Sequence, residues 1–132
     1  MPVIDASVAA KWVLPEEGAD RAAALRSIDE DLIAPDLIIA EVGSAVWKRA
    51  VAKEISRSQA VRAVEIAARL LTQLVPIAEL ADRAITLAID LRHQVYDCFY
   101  LALAQRENTA IVTADERLFA AARKARIQAR LL

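Results

Sequence analysis

The sequence predicts an α/β fold, a three-layer α/β/α sandwich with a central, mainly parallel sheet and one helical hairpin. Short apolar runs of strand length alternate with longer helical runs, the pattern of a parallel sheet covered on both faces. At 132 residues the chain is about one average domain, so 1–132 is expected to fold as a single unit. With 2 glycines and 4 prolines it offers no flexible linker, and no internal repeat or low-complexity tract divides it.

Taken in order, Pro2 to Ile4 reads as a strand, Ala6 to Val13 as a short helix closed by Pro15, and Ala19 to Ser27 as a second helix. Leu32 to Ala34 is a short strand. Pro35 and Asp36 then open a long helix through Lys53, and Ser56 with Gln59 forms a capping-box pattern that starts the next, through Leu74. These two long helices make the hairpin. Val75 to Ile77 is a strand, Leu80 to Arg92 a helix, Asp97 to Arg106 a largely apolar helix, and Ala110 to Val112 a strand. Asp115 to Lys124 and Ile127 to Leu131 close the chain.

Composition narrows the function classes. Hydrophobic residues make up 57%, yet no apolar run approaches the roughly 20 residues of a membrane helix, and no basic segment leads into an apolar stretch and a small-residue cleavage site. A soluble, cytoplasmic protein is the expectation. The one cysteine, Cys98, has no internal partner for a disulfide, which fits a reducing compartment and reads as a small buried hydrophobe. A formal net charge of −1 gives no global basic field for nucleic acid, so any such attraction is local. The basic residues Arg117, Arg123, Lys124, Arg126 and Arg130 crowd into the tail, where a solvated helix face also accounts for them.

Four acids stand out by position. Asp5 follows the first strand and Asp115 follows the Ala110 to Val112 strand, at the carboxyl ends where active sites of such folds gather. Asp5, Asp97 and Asp115 each lie near a helix start, where a short carboxylate commonly caps free backbone N–H groups. Glu41 is different: it lies inside "DLIIAEVGSAVWK" and cannot cap from there, so its ordinary role is a solvent-facing residue. Asp97 begins "DCFYLALA", a helix apolar enough to be buried, which aims its carboxylate into the protein, where a lone charge is costly. If the four meet at one sheet edge, they must protonate, repel or hold a cation.

Oxygen ligands without paired His or Cys suit Mg²⁺ or Mn²⁺, and a chain with one His and one Cys falls short of a usual zinc site. Hard divalent ions held by carboxylates with open positions suit phosphate chemistry, activating water and stabilising the leaving oxygen of an in-line displacement.

"VIDASV" with Asp5, "IIAEVGSAVWK" with Glu41, "HQVYDCFYLALA" with Asp97 and "IVTADERL" with Asp115 together resemble the PIN-domain ribonucleases, and especially the VapC-type toxins of toxin–antitoxin pairs. Their order, spacing and the chain length all fit, so the resemblance spans essentially the whole chain. It implies a PIN-like fold and a metal-dependent endoribonuclease that cuts RNA. It also implies a homodimer neutralised by a small antitoxin whose C-terminal segment lies over the active site. Carried over residue by residue, it makes Asp5 and Asp97 the firmest metal ligands, with Asp115 and Glu41 completing the acidic set. Thr113 matches the family's hydroxyl two residues before the last acid. Thr113, Ser7, Ser44 and Arg92 are weaker candidates for positioning substrate or water, each with an ordinary structural role available.

The other notable residues have ordinary readings. His93 suits a helix end, Trp12 and Trp47 a core or dimer interface, and Tyr96, Phe99 and Tyr100 mostly the core. Two rival functions share the fold class. One is a catalytically idle PIN-like binding domain, against which the retention of all four acids argues. The other is a Mg²⁺-binding phosphoacceptor domain resembling receiver domains, which lacks here the adjacent acidic pair near Asp5 and the late strand-end Lys.

Overall fold

A computed structural model describes residues 1–27 and 29–132. Five strands form one sheet in the order β3-β2-β1-β4-β5, with β1 Val3–Ile4, β2 Ile33–Pro35, β3 Gln73–Val75, β4 Ile111–Thr113 and β5 Ala129–Leu131. All pairs are parallel, with Val3 opposite both Ile33 and Ile111, and Ile4 opposite Val112. Both faces of the sheet are covered, and β1, β2 and β4 are accordingly apolar and buried throughout.

Seven α-helices among the described residues connect them: α1 Ala6–Val13, α2 Ala19–Arg26, α3 Leu37–Val51, α4 Arg57–Arg69, α5 Ala81–Leu91, α6 Val95–Glu107 and α7 Glu116–Lys124. Right-handed crossovers put α1 to α4, which lead from β1 outward to β3, on one face. The connection from β3 back across the sheet to β4 places α5 and α6 on the other. The predicted three-layer sandwich is therefore the observed one, hairpin included. Its strand order differs from the 2-1-3-4-5 of flavodoxin-like sheets, which removes the phosphoacceptor reading.

The core is centred on α6, where Cys98, Tyr100, Leu101, Ala102 and Leu103 are all fully buried against β1, β2, β4 and α5. Burial on nearly every side explains why this helix has no polar stripe.

Several boundaries move from the sequence reading, each for a local reason. The capping box forms as expected, with Ser56 Oγ accepting from Gln59 N at 3.1 Å and Gln59 Oε1 accepting from Ser56 N at 2.8 Å. Its helix stops at Arg69 rather than Leu74, because the chain joins the sheet early, with Thr72 N donating to Leu32 O. The next strand accordingly ends at Val75. Pro76 has no N–H to continue the ladder, and a 3₁₀ turn, Ile77–Glu79, follows it. Asp36 stands before α3 but caps nothing; its carboxylate accepts from Ile77 N across the sheet edge. Trp47 and Tyr96, read as core or interface and as core, are exposed at 62% and 59%.

Candidate active site

Strand order fixes where a site forms. From β1 the chain moves toward β2, and from β4 it moves toward β5, so the crevice between the carboxyl ends of these two adjacent strands is the topological switch point. Helices that return antiparallel to the strands begin at this same edge. Asp5 immediately follows β1, Thr113 ends β4, Glu41 lies near the start of α3, and Asp97 lies in the first turn of α6.

Asp5 is 5% exposed and is clamped from the neighbouring strand. Its Oδ2 accepts from Ser7 Oγ at 2.5 Å and from Thr113 Oγ1 at 2.7 Å. Each hydroxyl in turn accepts a backbone amide, Ala114 N at 3.0 Å on Ser7 and Asp115 N at 3.0 Å on Thr113. Those amides fix which way the hydroxyl protons point, so both are presented to Asp5.

The other two acids are each held by one oxygen. Glu41 Oε1 accepts from the hydroxyl of Tyr100 at 2.7 Å, and Asp97 Oδ2 lies 2.6 Å from His93 Nε2. With Asp97 ionised, the imidazole is the donor in that contact.

These carboxylates feel one another. Burial pushes the carboxyl of Asp5 above its usual range, against the two hydroxyl bonds, and the charge of Asp97 adds to the rise. Burial likewise raises Glu41, opposed by the Tyr100 bond and reinforced by Asp5 and Asp97. Tyr100 is raised above the ordinary phenol range by burial and by Glu41, Asp5 and Asp97, so it stays a donor. The Cys98 thiol is pushed up to about 11 by burial and by Asp97, which fits an inert buried residue.

Asp115 is bound differently. Its Oδ1 accepts from Arg117 N at 2.8 Å and Leu118 N at 3.3 Å, capping α7, and it joins the other acids through its own amide on Thr113. Of the three cap readings, this one describes a real cap. Asp5 occupies the cap position of α1 without a side-chain cap bond, and Asp97 is the third residue of a helix capped by Gln94. Glu41 is half-buried rather than solvent-facing.

Ser7 and Thr113 thus belong to the acidic crevice. Ser44 is exposed, and Arg92 is exposed in the left-handed conformation that ends α5; among the described residues neither side chain makes a hydrogen bond. Two residues that sequence reasoning left as core or helix-end residues, Tyr100 and His93, touch the site directly. Tyr100 carries a signal in its spacing, three residues after Asp97 on the same helix face, whereas His93 precedes α6 and is brought to Asp97 by the turn after α5.

No three of the Asp, Glu, His and Cys side chains among the described residues close into a ready-made metal cage. The donor set nonetheless fits Mg²⁺ or Mn²⁺: all oxygen, on carboxylates that burial and like neighbours make costly to ionise without a cation. Mg²⁺ in particular keeps several waters and takes one or two carboxylates rather than an all-protein cage.

A parallel sheet with acids converging at its switch point defines a class of α/β proteins with a carboxylate site at the sheet edge. The family model for the PIN domain matches residues 3–124, and the chain belongs to the PIN-domain family. Among curated proteins it is similar to Ribonuclease VapC1 of Mycobacterium tuberculosis, 36% identical over 123 residues covering 90% of this chain and 89% of that one. Ribonuclease VapC9 of the same species is 32% identical, covering 89% and 88%. Ribonuclease VapC3 of Pyrobaculum aerophilum is 30% identical, covering 88% and 90%. Two solved structures share the fold. PAE2754 from Pyrobaculum aerophilum superposes with a TM-score of 0.70 at 22% identity, covering 90% of this chain and 77% of that one. FitAcB from Neisseria gonorrhoeae does so with a TM-score of 0.68 at 18% identity, covering 98% and 96%.

Proposed function

We infer that this chain is a divalent-metal-dependent endoribonuclease, the toxin of a toxin–antitoxin pair. The observation that carries this is the meeting of Asp5, Glu41 and Asp97 from three separate elements at the switch point, in a PIN-family chain whose relatives are ribonucleases.

Mg²⁺ or Mn²⁺ bound there supplies Lewis-acid activation of water and charge neutralisation at the scissile phosphate. The chain's residues do the rest. Asp5, Glu41 and Asp97 attract the cation, with Asp115 as the fourth, peripheral acid through its free oxygen. Ser7 and Thr113 hold Asp5 in one rotamer and lock β1 to β4, so the site pays little reorganisation when charge develops. Arg92 stands near enough in sequence to the Asp97 helix to meet a substrate phosphate, and Ser44, one helical turn beyond Glu41, a water.

Two surfaces support the partners of this reading. An apolar groove of about 460 Å³ between α3 and α4 is lined by Val46, Trp47, Val51, Val61 and Val64. It suits the amphipathic helix of an antitoxin, whose basic extension enters the acidic crevice. On α5 and the start of α6, Ile85, Ile89 and Tyr96 are exposed at 50%, 69% and 59%, an apolar stripe that suits a second copy of this chain. No helix among the described residues is long and apolar enough to cross a membrane.

Incubating purified protein with total RNA, in EDTA and then with excess Mg²⁺ or Mn²⁺, tests the function. Cleavage should appear only with metal and vanish in Asp97→Asn. Equal cleavage by that variant would overturn the assignment.

A further inference from the structure

Glu41 and Tyr100 lie 59 residues apart in sequence and on different helices, yet their side chains meet at 2.7 Å. Tyr100 is 0% exposed, so its ring is held on all sides and the hydroxyl has little freedom to leave. Among the described residues it is the only side chain or backbone group that hydrogen-bonds the Glu41 carboxylate, and it engages Oε1 alone. Oε2 has no hydrogen-bond partner there. The tyrosine also shares its helix with Asp97, one turn earlier, so a single rigid element sets both acids.

We propose that Tyr100 is a positioning residue that sets which divalent ion this site accepts. Donating to Oε1 holds Glu41 in one orientation and occupies one lone pair of that oxygen, which disfavours both oxygens joining one cation and leaves Oε2 as the freer ligand. Mg²⁺ and Mn²⁺ favour octahedral sites with one oxygen from each carboxylate, whereas Ca²⁺ readily takes both oxygens of one carboxylate. A Glu restricted to one oxygen therefore discriminates against the larger ion. The inference rests on the reading of Glu41 as a ligand and adds what fixes it.

The test is calorimetric titration of the purified full chain with Mn²⁺, Mg²⁺ and Ca²⁺, without RNA, for wild type, Tyr100→Phe and Glu41→Gln. Phe keeps the ring and removes only the hydroxyl. Mn²⁺ and Mg²⁺ affinity should fall about tenfold in Tyr100→Phe, the usual scale for an outer-shell partner, while Ca²⁺ affinity holds or rises. Equal weakening for all three ions, or no change in any, overturns the proposal. If wild type binds and Glu41→Gln weakens it while Tyr100→Phe matches wild type, the metal reading stands and only this inference fails. If wild type binds no divalent ion, both fail together. Should Tyr100→Phe not fold, the second arm needs no core substitution. The protein has two tyrosines, so in Tyr96→Phe, changed at an exposed position and grown with ring-labelled tyrosine, Tyr100 carries the one labelled phenol ring. Its NMR signal should shift on addition of diamagnetic Mg²⁺ with the calorimetric Kd, and a signal unmoved at saturation overturns the proposal.

Discussion

Replacing Asp5 by Asn should stabilise the metal-free protein, and the same change should destabilise it relative to wild type once metal is present. Asn retains a carbonyl oxygen for both hydroxyl donors, Ser7 at 2.5 Å and Thr113 at 2.7 Å. Their bonds drop from the charged to the neutral class, which costs about 1 kcal/mol each. Against this stands the effective penalty for a buried ion, several kcal/mol after relaxation, plus repulsion from Asp97. Burial and the Asp97 charge raise the Asp5 carboxyl despite the hydroxyl bonds, so the expected net change in metal-free buffer at neutral pH is a gain in stability. For a domain of this size each kcal/mol moves Tm by about 4 °C. In excess Mg²⁺ or Mn²⁺ the wild type gains RT ln(1 + [L]/Kd), about 2.7 kcal/mol at 100 times Kd, and the variant loses most of it. The assay is a pair of melting curves for each protein, in EDTA and in metal. A variant that melts well below wild type in EDTA, with metal moving neither protein, would refute the idea that these acids form a charged site.

Linkage gives a pH counterpart. A carboxyl raised on folding contributes stability that is fully present below its usual value, 3.8 for Asp5 and 4.5 for Glu41, and lost as pH rises through the folded value. Metal-free wild type should therefore lose stability from these two groups as pH rises from about 4 toward neutrality, and denaturant midpoints of wild type and Asp5→Asn should converge at the acid end. Thr113→Val should cost about 1–3 kcal/mol, since it strands the part-buried Asp115 amide and removes one donor from the buried Asp5, and should slow cleavage; chemical denaturation and RNA digestion read the two effects. Asp115→Ala should cost roughly 1 kcal/mol as a lost helix cap, whereas Asp97→Asn should leave metal-free stability near wild type and abolish cleavage. Val61→Glu in the α3–α4 groove should prevent co-purification with the proposed antitoxin while cleavage in its absence continues, and a stable complex would remove the groove from that role.

Much of this architecture is legible in the residues themselves. The Ser56 and Gln59 pair announces a helix start because both halves of its box are local, and "DCFYLALA" announces a buried helix because composition alone reports burial. What stays hidden depends on partners far along the chain. Asp36 looks like a helix cap until Ile77 arrives across the sheet to claim its carboxylate. Tyr100 looks like core, and by exposure it is core; only the meeting of α6 and α3 at the sheet edge brings its hydroxyl onto Glu41. His93 reads as a helix-end residue because the turn after α5 that swings it onto Asp97 depends on Arg92 adopting the left-handed conformation, which its side chain does not advertise. Asp115 carries the opposite lesson, since the bland cap reading is physically true even though the residue sits beside the acidic crevice.

The most direct test of the central claim is to map RNA 5′ and 3′ ends after brief expression of wild type and of Asp97→Asn at matched protein levels. New, site-specific ends should appear with wild type alone. Identical end profiles for the two proteins, with both folded, would contradict a metal-dependent endoribonuclease built on these acids.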